Sequence, residues 1–291
     1  MKKSIVLFLL TAIVLPLASF AQTSSLVKVD AKPALLCGGF RFTESPAPDA
    51  KGNVYFVDIP NNTINIWTTG GDLKTYRDNS GGANGMVFDR DGSLVVCEGG
   101  RRRVVRDDLH GKISVLADSF GGKNLNSPND LWVDAKGGIY FTDPRYGNTD
   151  DLEQDKMAVY YLPKDGPLGR VADDLVKPNG VVGTPDGKTL YVADEGGNKV
   201  YAYAILKNGK LGKKRLFFDH EADGLTLDAN GNVYLASENV LIVSPEGKLL
   251  EEIHFPEHPT NLCFGGADGK TLFVAARTSL YGLQMTVGGA K

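Results

Sequence analysis

Cysteine, histidine and tryptophan are scarce in this chain, with three, four and two residues among 291. Cys37, Cys97 and Cys263 permit at most one disulfide, with three possible pairings that the sequence leaves open. They do not stand at metal-ligand spacings, which argues against a thiolate zinc site. His254 and His258 are four apart, but Pro256 and Pro259 oppose the helix that would bring them to one face. His110 and His220 have no partner at a recognisable spacing, although His220 precedes Asp223 closely. Neither charge dominates: 32 Lys and Arg face 35 Asp and Glu, a net charge of -3. Without a large positive field, nucleic acid is not an expected partner. There is no Gly-x-Ser-x-Gly elbow, phosphate-binding loop or dinucleotide fingerprint, so serine-hydrolase and nucleotide chemistry have no support. With 35 Gly and 14 Pro, long helices are few. Only Asn148 to Met157 is expected to form a short one.

A long hydrophobic run occurs once. Lys2 and Lys3 precede the apolar stretch Ile5 to Leu17, and Ser19-Phe20-Ala21 supplies small residues at a cleavage site. This pattern is that of a secretory signal at residues 1–21, since the run is too short to span a bilayer comfortably. Its removal leaves 30 basic residues against 35 acidic ones. The mature chain, 22–291, is expected to be one domain, periplasmic or secreted, without stable membrane association.

What the chain does contain is one pattern six times over. A polar residue leads a short apolar stretch, an Asp/Gly turn follows, and a second apolar stretch closes the copy. Asn129-Asp130-Leu131-Trp132-Val133, Asp134-Ala135-Lys136-Gly137 and Ile139-Tyr140-Phe141 make one example. The lead residues are Glu44, Asn84, Asn129, Asn179, Asp223 and Asn261, spaced by 38 to 50 residues. That period suits a four-stranded blade, and each Asp/Gly turn between two β-type runs suits a hairpin. Thr63 to Trp67, Arg103 to Arg106, Val159 to Leu162 and Lys199 to Ala204 supply further strands. The predicted fold is all-β, a six-bladed β-propeller. Ser279 to Val287 and Ala34 to Cys37 are strand-like, and one is expected to complete the blade begun at the other terminus.

In a propeller the innermost strands surround the axis, so residues about 40 positions apart meet at one channel mouth. All six lead side chains offer an oxygen and two are acidic. Crowded in a narrow space, they would repel one another unless a cation intervened. Hard oxygen donors favour Ca²⁺ or Mg²⁺ over softer metals. Asn-Gly and Asp-Gly are also common turn dipeptides. However, the Asp/Gly elements downstream already supply the hairpin turns, and Glu44 is a poor turn residue in the same slot. Asn84 and Asn261 are expected to line the channel rather than to act as ligands.

Several longer motifs carry a resemblance. They include Phe42-Thr43-Glu44-Ser45-Pro46, Phe56-Val57-Asp58-Ile59-Pro60-Asn61-Asn62, Ser127-Pro128-Asn129-Asp130, Phe141-Thr142-Asp143-Pro144-Arg145-Tyr146-Gly147, Pro178-Asn179-Gly180 and Asp223-Gly224. With Cys97-Glu98-Gly99-Gly100-Arg101-Arg102-Arg103 and Pro259-Thr260-Asn261-Leu262-Cys263-Phe264-Gly265-Gly266, they carry a match that extends over nearly all of the mature chain. The chain resembles the gluconolactonase and regucalcin (senescence marker protein) family of six-bladed propellers, and most of all its bacterial gluconolactonase branch. The resemblance implies that Glu44, Asn179 and Asp223 bind one divalent cation; carboxylate and amide oxygens suit Ca²⁺ best, with Zn²⁺ or Mg²⁺ as the alternatives. It implies that Asn129 lies beside them as ligand or substrate contact, and that Asp223 is the candidate catalytic base. Two departures are Ser45, where many members have Gly, and Ser127, where the animal branch has Arg.

The expected reaction is metal-assisted hydrolysis of a sugar lactone to its aldonic acid, with a small lactone as the partner. Arg145, Tyr146 and Glu98, just beyond inner strands, are candidate substrate contacts. Structural roles compete for all three, most strongly a salt bridge between Glu98 and the Arg101 to Arg103 run. The alternatives are a phosphotriesterase of the diisopropyl fluorophosphatase kind, or a non-enzymatic binding propeller with a structural cation. Oligomeric state is left open.

Overall fold

In a computed structural model, residues 26–290 are described; the expected signal segment, 1–21, lies outside them. Six four-stranded antiparallel sheets follow one another. Their inner strands are Thr43–Pro48, Ala83–Phe88, Leu131–Val133, Pro178–Gly183, Leu225–Leu227 and Pro259–Gly265 in blades one to six. Each inner strand contacts the next, and the sixth contacts the first. The ring is closed.

The repeated Asp/Gly turn has a local cause. Asp49 Oδ1 accepts hydrogen bonds from Lys51 N (2.8 Å) and Asn53 N (2.9 Å), while Gly52 takes φ +86°. Asp89, Asp134 and Asp228 accept from the N–H groups two and four residues ahead in the same way, with Gly92, Gly137 and Gly231 at positive φ. An aspartate that replaces backbone partners, followed by a residue free to enter the left-handed region, makes a tight hairpin with few alternatives.

Apolar residues on the blade faces meet in six clusters, one at each blade-to-blade junction. Tyr55, Val57, Met86 and Val96 join blades one and two; Val54, Phe56, Phe273 and Leu280 join blades six and one. The last junction depends on the chain ends. Ala34–Gly38 pairs with Ser279–Gln284, Leu35 opposite Tyr281, and becomes the outermost strand of blade six. This is the terminal exchange expected from the sequence. It also covers a strand edge that would otherwise be exposed.

Two expectations fare differently. The four additional strands appear, at Thr63–Trp67, Arg103–Asp107, Ala158–Leu162 and Lys199–Ala204. The short helix at Asn148 to Met157 does not. Asn148 Oδ1 accepts from Asp150 N (2.8 Å), a side-chain turn that competes with helix. Gln154 Nε2 is drawn to the carbonyls of Phe120, Lys123 and Asn124. Helical turns among the described residues are three short 3-10 segments, Gly99–Arg101, Glu195–Gly197 and Lys207–Gly209. All three cysteines are free, and burial pushes the Cys37 thiol up to about 12.

Because blade six borrows its outer strand, a chain beginning at Gly39 should melt at least about 10 °C below one beginning at Gln22. Equal melting temperatures by circular dichroism would show that the terminal strand is dispensable.

Candidate active site

Three aspartates at the ends of second strands set the approach to the channel. Asp58 accepts from Arg41 N and Phe42 N, Asp143 from Asn126 N and Ser127 N, and Asp194 from Val176 N and Lys177 N. Each pair of N–H groups lies immediately upstream of a lead residue: Glu44, Asn129 or Asn179. The clamp fixes where the inner strand enters, and so aims the lead side chain. Burial raises the Asp143 carboxyl to about 7, against the pull of its two N–H donors and of Arg102 and Arg145.

Glu44, Asn84, Asn129, Asn179 and Asp223 line a single cavity of about 410 Å³, with Phe42, Ile59, Pro128 and Tyr146 as its apolar and aromatic wall. Asn261 is not among them. Backbone bonds around the ring run from the residue after one lead to the carbonyl of the next: Gly85 N to Asn129 O (2.6 Å), Gly180 N to Asp223 O (3.0 Å), Gly224 N to Thr260 O (2.9 Å). By that register the sixth lead is Thr260, whose hydroxyl donates to Thr43 O (2.7 Å). Asn261 sits one residue further along the channel with Ser45, Gly85, Asp130, Gly180 and Gly224. That layer opens on the opposite side, where Ser45, Asp130 and Asn261 line a second cavity of about 390 Å³. Its glycines are required: a Cβ on Gly180 would lie 2.2 Å from Asp223 O, and one on Gly224 2.3 Å from Asn261 Cγ.

The acids of this channel are held far from their ordinary range. Desolvation, then the charges of Asp223 and Asp130, push Glu44 well up, although its Oε2 accepts from Ser45 N (2.9 Å). Asp223 is raised to about 8 by burial and by Asp130, with partial relief from Asn179. Burial raises Asp130 to about 7 despite bonds from Leu131 N (2.9 Å) and Val181 N (3.2 Å). Neither Glu44 nor Asp223 has an ion-pair partner among the described residues, and the side-chain amides of Asn84 and Asn129 make no hydrogen bond there. Asn179 Nδ2 donates to Tyr146 Oη (2.8 Å), which fixes the amide plane. Tyr146 Oη in turn donates to Glu195 Oε2 (3.3 Å), and Lys177 Nζ lies 4.8 Å from the centre of its ring. No group of three or more His, Cys, Asp or Glu side chains gathers as a metal cage among the described residues. The oxygen donors here are two carboxylates and neighbouring amides.

Of the three expected substrate contacts, Tyr146 alone lines the cavity. Glu98 is fully buried and bound to Arg103 (2.7 Å), Arg77 (3.0 Å) and Arg101 (3.5 Å). Arg145 turns away to Asp151 (3.3 Å). His220 is exposed, stacked near Phe218, and lines neither cavity.

A family model described as the SMP-30/Gluconolactonase/LRE-like region matches residues 42–278, from the strand bearing Glu44 to the last turn of blade six. The chain belongs to this family. The gluconolactonase of Zymomonas mobilis is 30% identical over 290 residues, covering 88% of this chain and 82% of that protein. Lactonohydrolase oryL of Aspergillus oryzae is 28% identical over 204 residues, 59% of this chain and 47% of the relative. A solved gluconolactonase of Xanthomonas campestris has a TM-score of 0.84 at 33% identity, over 89% of this chain and 91% of that one.

Within this family fold, Glu98 acts as a buried counter-charge. Glu98→Gln should lower unfolding free energy by about 3 kcal/mol, because it leaves three arginines around an uncharged group. Denaturant titration checks this; unchanged stability with a raised KM would return Glu98 to the substrate.

Proposed function

We propose that this protein is a divalent-cation-dependent lactonase that opens a sugar lactone to its aldonic acid. The observation that carries the reading is the pair Glu44 and Asp223, two acids that make no ion pair among the described residues and face one cavity beside amide side chains. Two anions so placed repel each other unless protonated or bridged by a cation. The donor set suits a hard divalent ion: Glu44, Asn179 and Asp223 would hold it, with Asn129 beside them and Ca²⁺ the best match to carboxylate and amide oxygens. When bound, such an ion supplies Lewis acidity to a carbonyl and to the oxyanion formed from it. Membership of a family whose relatives are named gluconolactonase and lactonohydrolase supports a lactone as substrate.

The chain's own residues divide the remaining work. Asp223 takes the proton of the attacking water, through whichever carboxylate oxygen it keeps free. Tyr146 holds Asn179 in place and, as a neutral phenol, offers its oxygen to a substrate hydroxyl. Asn84 and Asn129 present unspent amides to other hydroxyls, while Phe42, Ile59 and Pro128 face the C–H side of a sugar ring.

Two outcomes follow from this assignment. Asp223→Ala should reduce glucono-δ-lactone hydrolysis by at least about 10³-fold, and chelation of the wild type should match it. Paraoxon hydrolysis without lactone turnover would instead favour the phosphotriesterase, and loss of neither activity on chelation would remove the cation. Cation binding must also displace protons, because the Asp223 carboxyl lies near 8 and Glu44 is raised too. Ionised carboxylates are the binding form, so affinity falls as pH drops below about 8. Calorimetry in buffers of different ionisation enthalpy should show net proton release on Ca²⁺ binding at pH 7; no release would mean that these carboxylates are not ligands.

A further inference from the structure

Outside the lining of the same cavity, two cations stack on its wall aromatics. Lys177 lies over Tyr146 and is offset by Glu195, 3.6 Å away. Arg277 lies over Phe42, its guanidinium carbon 5.5 Å from the ring centre, and is exposed. Among the described residues its guanidinium makes no ion pair and no hydrogen bond. The nearby carboxylate, Glu257, is spent on Thr278 N, Thr278 Oγ1, Ser279 Oγ and Tyr281 Oη. The Arg277 backbone is anchored instead: its carbonyl accepts from Thr43 N (2.7 Å), next to Glu44.

Arg277 is also costly where it stands. Its φ of 45° is left-handed, and the corresponding turns of blades one and four place Asn62 and Asn198 there, residues that tolerate this region. Blade two places Arg102 there, but that side chain is bound to Leu125 O and to Asp151. Arg277 has no such hydrogen-bonded partner among the described residues; its charge acts on Asp223 from outside hydrogen-bond range, and its guanidinium rests on the Phe42 ring. Strained residues that do nothing for packing concentrate at functional sites.

The reacting carbonyl belongs at the depth of the cavity, beside Glu44 and Asp223. The far end of the substrate then emerges at the rim. We propose that Arg277 is a specificity-determining residue that binds an anionic substituent (phosphate, sulfonate or carboxylate) on the part of the lactone remote from its carbonyl. A planar guanidinium backed by an aromatic ring is suited to such a group. The kinetic part of this proposal rests on the lactonase reading; the binding part does not.

The test compares the Ca²⁺-loaded wild type, Arg277→Lys and Arg277→Met. Glucono-δ-lactone and its terminal phosphate ester are the substrates; sorbitol and its terminal phosphate ester are the inert ligands for calorimetry. The wild type should prefer the phosphorylated lactone. Arg277→Met should lower the ratio of kcat/KM for phosphorylated over neutral lactone about tenfold, through KM, with partial rescue by Arg277→Lys. Sorbitol phosphate should likewise lose about tenfold in affinity, beyond any change for sorbitol. Equal effects on neutral and anionic compounds, or none, overturn the proposal. Arg277-dependent binding of sorbitol phosphate without turnover of either lactone would support the subsite and reject the lactonase reading.

Discussion

A carboxylate withdrawn from water must be met by donors, and in this propeller the donors are consecutive backbone N–H groups just ahead of the inner strands. Asp58, Asp143 and Asp194 each satisfy that requirement in the same way, and the result is a fixed entry point for blades one, three and four. Glu44, Asn129 and Asn179 inherit their direction from it. Three of the five lead residues that line the cavity are therefore aimed by main-chain hydrogen bonds, which suits chemistry that needs its oxygens held in place.

The channel is divided by two adjacent layers of one-residue offset. The upper layer is polar and faces the cavity with Glu44 and Asp223; the lower combines Gly85, Gly180 and Gly224 with Ser45, Asp130 and Asn261. Gly85 and Gly224 leave room for the side chains of Asp130 and Asn261, and Gly180 leaves room for the backbone of Asp223 and Gly224. Asp130 thereby adds negative potential under the site while presenting no direct contact to the upper cavity, and its charge contributes to the high proton affinity of Glu44 and Asp223.

Local rules made most of the fold legible. An Asp/Gly turn between two apolar runs depends on four or five successive residues, so all six hairpins could be read from sequence. The lead residues were legible where the next residue was Gly, Ser or Asp in a recognisable slot. They failed in blade six, where Thr260-Asn261 replaces Asn-Gly and the more ligand-like side chain lies one place too far along. Glu98 was ambiguous for a related reason: Arg101 and Arg103 are sequence neighbours, but Arg77 arrives from the outer strand of the preceding blade. The clamp aspartates stand in visible motifs, yet their partners lie 16 to 18 residues upstream, beyond any local pattern. Arg277 carried no signal at all, since its significance is a matter of what surrounds the guanidinium.

The pairing of Leu35 with Tyr281 has a bearing on how the molecule is made. During synthesis the first strand emerges long before its only sheet partner exists, and blades one to five can form while it waits. Completion is thus deferred to the last moment, when the carboxy-terminal hairpin becomes available and the two extremities meet. A prematurely terminated product has no substitute for that encounter, and its channel stays open on one side.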